Sequence, residues 1–175
     1  LGVCDDTLKI VFSLIENSTT PLVLDADALN CVAKQPEILL RKKAPIIITP
    51  HPGEMSRLTG LATPLVNAER ERVALDFAQK YGVVTVLKGA GTVIASPNGK
   101  VLVNPTGNSG MATGGSGDVL AGMTASILAQ GASAFSSAAA AVYLHGLAGD
   151  IAAEKYGKIS MLPTDLINCI PLAYK

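Results

Sequence analysis

The stretch at 44–60, APIIITPHPGEMSRLTG, sets a β-branched run at 46–49 against two prolines, a glycine and then a polar segment of helical character. A short, continuous β-branched run fits a strand covered on both faces, as the strands of parallel sheets are. Pro50 and Pro52 stiffen the turn that follows, and Gly53 leads into a short helix. Upstream, PLVLDADALN at 21–30 opens in the same way: Leu22, Val23 and Leu24 form a buried strand that runs out into Asp25, Asp27 and Asn30. Strand, polar turn and helix is therefore a repeated unit, and repetition of that unit is the sign of a layered α/β domain.

Working outward, NAERERVALDFAQKYG at 67–82 places Val73, Leu75, Phe77 and Ala78 among charged residues, which predicts an amphipathic helix ended by Gly82. VVTVLKG at 83–89 is again a nearly continuous apolar strand. TVIASPNGKVLVN at 92–104 reads as two strands joined through Asn98-Gly99, a strong hairpin signal, so the sheet is expected to be mixed. Val119, Leu120, Met123, Ile127 and Leu128 recur at helical spacing up to Gly131, a helix that rises from Asp118. A long small-residue helix follows at 136–157, and Pro163-Thr164 begins a last one. The expectation is one α/β domain over residues 1–175.

Fourteen basic residues balance fourteen acidic ones, and the densest basic run is Arg41-Lys42-Lys43, so no net field favours nucleic acid. Aromatic residues make up 4% with no Trp, which leaves few platforms for stacking bases. A hydrophobic share of 49% and a mean hydropathy of +0.38 exclude a disordered chain. Cys4, Cys31 and Cys169 are odd in number and widely spaced, which predicts neither a disulfide framework nor a zinc site and suits a reducing cytoplasm. No apolar run reaches the roughly 20 residues of a membrane helix, and no signal peptide opens the chain. Leu1-Gly2 reads as the tail of a preceding segment, so an N-terminal portion is expected to be missing.

The chemistry centres on MATGGSGDVLAG at 111–122. Glycine costs roughly 0.5–1 kcal/mol relative to alanine in regular structure, so Gly114, Gly115, Gly117 and Gly122 answer a need for unusual backbone angles or close ligand approach. Gly114, Gly115 and Gly117 precede a helix, where free N–H groups and the dipole favour an anion. The spacing matches neither the phosphate loop with its Gly-Lys-Ser/Thr end nor the dinucleotide fingerprint, because Leu120 stands where the latter needs glycine. Asp118 beside an anion hole suggests a general base in phosphoryl transfer; the alternative is an N-cap aspartate above a simple turn. Thr106, Gly107, Asn108, Ser109, Gly110 and Thr113 extend the polar stretch beyond what a cap needs, which favours function.

KGAGT, formed by Lys88, Gly89, Ala90, Gly91 and Thr92, suits a loop touching a nucleotide, yet is short enough to be a surface lysine in a tight turn. His51 and Glu54 follow a strand, where Glu54 can orient a hydrated Mg2+ and His51 can bond a substrate; a capping Glu and a solvated His explain them equally. Asp25, Asp27 and Asn30 form a polar rim without the spacing of a calcium loop. His145, on the small-residue helix, reads as a satisfied core histidine.

The segments LDADALN, ITPHPGEMSRLTG, VLKGAGT, NPTGNSGMATGGSGDVLAG and VYLHGLAGD, in this order over residues 24–150, resemble signatures of the ADP- or ATP-dependent NAD(P)H-hydrate dehydratases, a branch of the ribokinase-like superfamily. The resemblance implies a three-layer α/β/α ribokinase-like fold with a mostly parallel sheet and a β-hairpin. It implies nucleotide-dependent removal of water from hydrated NADH or NADPH, with ADP or ATP as co-substrate and Mg2+. It assigns Asp118 as the base for the hydrate's hydroxyl and Gly115, Ser116 and Gly117 as the anion hole. Lys88, Gly89, Ala90, Gly91, Thr92 and Gly117 would contact the nucleotide, His51 and Asp118 the hydrate, and Glu54 the metal through water. The small-molecule kinases of the superfamily often carry Asn where His51 stands, which favours the dehydratase branch over a vitamin or sugar kinase. A kinase, and a nucleotide-binding module without turnover, remain as alternatives. An NAD(P)H-hydrate epimerase, fused or separate, is an expected partner, and a homo-oligomer the expected state, with neither nucleic acid nor membrane involved.

Overall fold

The computed structural model of the chain describes residues 2–174, so the reading of Leu1 lies outside the described residues. Five short strands form one sheet in the order β1 (Leu22–Leu24), β2 (Ile46–Ile48), β3 (Val84–Leu87), β4 (Val93–Ala95) and β5 (Val101–Val103). The first three run parallel and β4 alone reverses, so β5 points the same way as β1–β3 and four of the five strands share a direction. Asn98-Gly99 lies at the β4–β5 turn as expected, with Ser96 N–H donating to the Lys100 carbonyl at 2.9 Å.

Helices cover both faces because the strand side chains alternate. Leu24, Ile46, Ile48, Leu87 and Val93 point into one core, shared with α1 (Asp5–Asn17), α2 (Asp27–Val32), α3 (Pro52–Thr59), α4 (Thr63–Ala68) and α5 (Arg70–Tyr81). Ile47, Val84, Val86 and Ile94 point into the other, against α6 (Ser116–Ala129) and α7 (Ala134–Tyr156). A third cluster joins α7 to α8 (Pro163–Ala173) through Ala148, Ala152, Leu166 and Cys169. Ile46, Ile47 and Ile48 are at most 1% exposed, and full burial of such side chains stabilises by roughly 1.5–3 kcal/mol each. The alanines of α7 allow the close approach of α6 and α8.

Several expectations need correction. The helix predicted from Asn67 begins only at Arg70, because Glu69 leaves helical geometry (φ −126°, ψ 42°) after the short α4 that Pro64 initiates. The helix expected to rise from Asp118 starts two residues earlier, at Ser116. The polar run at 25–30 divides its roles: Asp27 opens α2 and interacts with the Asn30 side chain, whereas Asp25 stays at the strand end. Asp27 also accepts from Gly2 N–H, and Asn30 accepts from Arg57 Nε. α1 falls outside the segments assigned above, although Thr7, Val11 and Ile15 mark its buried stripe.

The turn from Asp25 into α2 passes through Ala26 at φ 51°, ψ −120°, the single non-glycine residue with positive φ among the described residues. Such a backbone stores of order 1–3 kcal/mol. Ala26→Gly is therefore expected to stabilise the fold by about 1 kcal/mol, read as a higher midpoint in urea unfolding; a lower midpoint would contradict the strain.

Candidate active site

The carboxyl ends of β1, β2 and β3 converge, as open parallel sheets arrange their binding crevices. The ladder continues past the strands, with Thr49 N–H donating to the Leu24 carbonyl and Lys88 N–H to the Pro50 carbonyl at 2.8 Å. This extension brings one charged residue from each strand end to a common point. Lys88 Nζ lies 2.7 Å from Asp25 Oδ1 and 3.8 Å from Glu54 Oε2, and the three side chains are 19%, 13% and 6% exposed. Lys88 is thus no surface lysine.

Above this cluster sits the glycine loop. Gly115 is the N-cap of α6 at φ 98°, a conformation that glycine adopts freely and L side chains rarely do. A Cβ added to Gly117 would lie 3.4 Å from Lys88 Nζ, so the ammonium faces the loop backbone at short range. Among the described residues, the amides of Gly115 and Gly117 make no hydrogen bond, whereas that of Ser116 donates to the Thr113 carbonyl at 3.3 Å. The free donors of a helix N-terminus suit an anion.

A cavity of about 880 Å3 opens beside the loop. Its wall includes His51, Lys88, Gly89, Ala90, Gly91 and Thr92 together with Gly115, Ser116 and Gly117. Leu120 and Val142 give it an apolar floor. Asp118 follows Gly117 in the first turn of α6 but is exposed and does not line the cavity, and its side chain makes no hydrogen bond or ion pair among the described residues. As the third helical residue it is not the N-cap, which removes the capping alternative.

His51 and Glu54 both cap and adjoin the site. His51 Nδ1 accepts from Gly53 N–H at 3.0 Å and Glu54 N–H at 3.4 Å, and Glu54 Oε2 accepts from His51 N–H at 2.7 Å, a reciprocal box at the start of α3. His51 Nε2 remains at the cavity, 3.5 Å from Glu54 Oε1. Among the described residues no group of three or more His, Cys, Asp or Glu side chains is placed to hold a metal ion. Mg2+ does not need one, since it keeps several waters and binds through one or two carboxylates plus substrate phosphates. Glu54, with Asp25 across Lys88 Nζ from it, offers carboxylate oxygens of that kind.

Arg70 and His145 complete the support. Arg70 Nη2 donates to the Leu87 carbonyl at 2.9 Å and also reaches the Gly91 carbonyl at 3.4 Å, closing the 88–92 turn from beneath; burial lowers its pKa. Nothing in the local sequence marks it, because its partners lie 17 and 21 residues away. His145 is buried in α7 as a core histidine, yet it also lines the cavity. Its Nε2 is 3.0 Å from the Ser116 carbonyl; since a carbonyl only accepts, Nε2 carries the proton.

Burial lowers the His145 pKa to about 4 from an ordinary 6.5. Between those values the unfolded chain takes up a proton that the folded one refuses, so stability falls with falling pH by about 1.4 kcal/mol per unit. The loss totals about 3 kcal/mol and is complete below pH 4. Denaturant unfolding of wild type and His145→Leu at pH 7 and pH 4.5 checks this: the stability lost between the two pH values is expected to be smaller in the variant by about 2 kcal/mol. An unchanged slope would contradict it.

The sequence matches the family model described as NAD(P)H-hydrate dehydratase over residues 1–172. It is 44% identical over 175 residues to a bifunctional NAD(P)H-hydrate repair enzyme of Thermofilum pendens, covering all of this chain and 33% of that protein. The structure is similar to that of an ADP/ATP-dependent NAD(P)H-hydrate dehydratase from Bacillus subtilis co-crystallised with ATP and Mg2+, with TM-score 0.90, 34% identity, and 99% of this chain and 61% of that one covered. A ribokinase-like superfamily protein of Enterococcus faecalis matches with TM-score 0.83 and 31% identity over 98% of this chain and 59% of its own. The chain thus spans about a third of the length of the curated relative and about three fifths of these solved structures. The fold is ribokinase-like, and the chain belongs to the NAD(P)H-hydrate dehydratase family.

Proposed function

We propose that this chain carries the catalytic half-site of a nucleotide-dependent NAD(P)H-hydrate dehydratase, which uses ADP or ATP to remove water from hydrated NADH or NADPH. The observation that carries the reading is the exposed Asp118, its side chain unpaired among the described residues, immediately after Gly117, which lines the cavity together with Lys88. A base and an anion-binding turn on consecutive residues meet the needs of phosphoryl transfer to a hydroxyl.

In this reading Asp118 takes the proton of the hydrate's hydroxyl as its oxygen attacks the terminal phosphorus of the nucleotide, and the bond to the departing nucleotide breaks. The Gly115 and Gly117 amides hold the charge on the transferred group, with Ser116 placed between them in the same turn. Phosphate then leaves with the carbon–oxygen bond electrons, and a proton is lost from the neighbouring carbon to restore the double bond. Lys88, Gly89, Ala90, Gly91 and Thr92 hold the nucleotide, and His51 Nε2 orients the hydrate. Mg2+, when bound near Glu54 with the phosphates, would supply charge neutralisation. An NAD(P)H-hydrate epimerase, fused or separate, is the partner that would interconvert the hydrate's epimers, and a homo-oligomer is the proposed state. Free Cys4, Cys31 and Cys169 suit a reducing cytoplasm, and among the described residues no helix is long and apolar enough to cross a membrane.

The test is to incubate the protein with hydrated NADH, Mg2+ and either ADP or ATP. Recovery of the dihydronicotinamide absorbance with release of phosphate is expected. Nucleotide consumption that leaves a stable phosphorylated alcohol would sink the proposal, as would no recovery by the full-length protein.

A further inference from the structure

Segment 104–111 leads from the end of β5 to the glycine loop and lines one side of the cavity. Apart from a 3-10 turn at Ser109–Met111 it has no regular structure, so its anchoring determines the shape of that wall. The anchor is α7. Asn104 Nδ2 donates to the Val142 carbonyl at 3.4 Å, Thr106 Oγ1 to the Tyr143 carbonyl at 2.9 Å, and Asn108 Nδ2 to the Gly149 carbonyl at 3.0 Å. The segment also lies directly on the helix backbone: a Cβ at Gly146 would overlap Thr106 Oγ1, and one at Gly149 would overlap Met111 Sδ.

Those acceptors are main-chain carbonyls, but the last fastening is a side chain. Asp150 Oδ2 accepts from Gly107 N–H at 2.8 Å and Asp150 Oδ1 from Asn108 Nδ2 at 2.9 Å. A carboxylate supplies two charged acceptors to two adjacent donors, and such bonds are roughly twice as strong as neutral ones. An amide would keep one acceptor and set a donor against the Asn108 donor.

We propose that Asp150 is a positioning residue that fastens segment 104–111 to α7 and thereby sets the affinity of the cavity for ADP or ATP without touching the nucleotide. Asp150 does not line the cavity, so its effect passes through Gly107 and Asn108, which do. The inference rests on the reading of the cavity as the nucleotide site.

Two measurements keep the clamp and that reading separate: amide hydrogen exchange of 104–111 without nucleotide, and the affinity for ADP and ATP by calorimetry. Asp150→Ala is expected to speed exchange in 104–111 by about tenfold to a hundredfold while β1–β3 stay protected. Nucleotide affinity should weaken by about tenfold or more, with kcat at saturating nucleotide within about threefold. Asp150→Asn should fall between, and serves if the alanine variant fails to fold. Gly149→Ala, at a position that does not line the cavity but where the added methyl presses on Met111 of the same segment, should move both readouts in the same direction. Unchanged exchange in 104–111, or faster exchange with unaltered nucleotide affinity, would overturn the proposal. If wild type binds neither ADP nor ATP, the nucleotide-site reading fails, and the exchange result alone decides the clamp.

Discussion

Asp118→Asn is expected to lower kcat for hydrate dehydration by about a hundredfold to ten-thousandfold, the usual contribution of a positioned general base. The amide is close to isosteric with the carboxylate but cannot take the hydroxyl proton. Affinity for ADP and ATP should stay within about threefold, because Asp118 does not line the cavity and the neighbouring Gly117 amide is untouched. Stability should change by no more than about 1 kcal/mol: the residue is exposed and unpaired among the described residues, so only its favourable position in the first turn of α6 is lost. Steady-state kinetics with calorimetric nucleotide titrations check all three parts. A variant retaining more than about a tenth of wild-type kcat would move the base elsewhere.

Lys88→Met is expected to destabilise the fold by about 1–3 kcal/mol, between the ranges for exposed and for fully buried ion pairs. Nζ is the cation between Asp25 and Glu54, both largely withdrawn from water, and methionine fills the space of the stem while leaving two carboxylates face to face. Asp25→Asn should cost less, since Lys88 keeps Glu54. The double variant Lys88→Met/Asp25→Asn should be more stable than the sum of the singles predicts by at least about 1 kcal/mol, as coupled neighbours are. Urea unfolding of the four proteins measures the cycle. A loss below about 1 kcal/mol for Lys88→Met would place the pair among solvent-exposed bridges instead.

Both results bear on how the strand ends are built. Asp25, Glu54 and Lys88 come from three different strand–turn units, 63 residues apart at the extremes. Periodicity assigns each unit, but only the parallel register of β1, β2 and β3 sets their side chains at one point. By the sequence alone Lys88 reads slightly better as a tight-turn surface residue than as a ligand contact; its place between two carboxylates, with 19% of the side chain exposed, overturns that. His51 and Glu54 were open between capping and chemistry, and the structure places both in a capping box of which His51, but not Glu54, lines the cavity.

The local elements were legible for physical reasons. Ile46, Ile47 and Ile48 are buried on both faces, so their apolar continuity had no competing reading. Gly82 ends α5 in the left-handed conformation and Asn98-Gly99 sits in the β4–β5 turn, positions where backbone geometry restricts the choice of residue. The failures are equally specific. α1 carries a clear helical period, with Val11 and Ile15 buried and Leu8 and Phe12 packed beside them, and it is the reading of the segment, not its pattern, that left it unassigned. α2 is six residues long and enters through the unfavourable backbone of Ala26, which no propensity foresees.

By itself, then, the sequence determined the strand–turn–helix grammar, the hairpin, the glycine loop ahead of α6 and the family signatures, because each is set by residues near one another in the chain. The tertiary structure alone decided which charges meet, that Asp118 stays unpaired beside the cavity, that Arg70 closes the 88–92 turn, and that Asp150 and His145 of α7 hold segments about 30 to 40 residues away. Those contacts depend on the stacking of helices on a sheet, and no local pattern of residues encodes the distance across it.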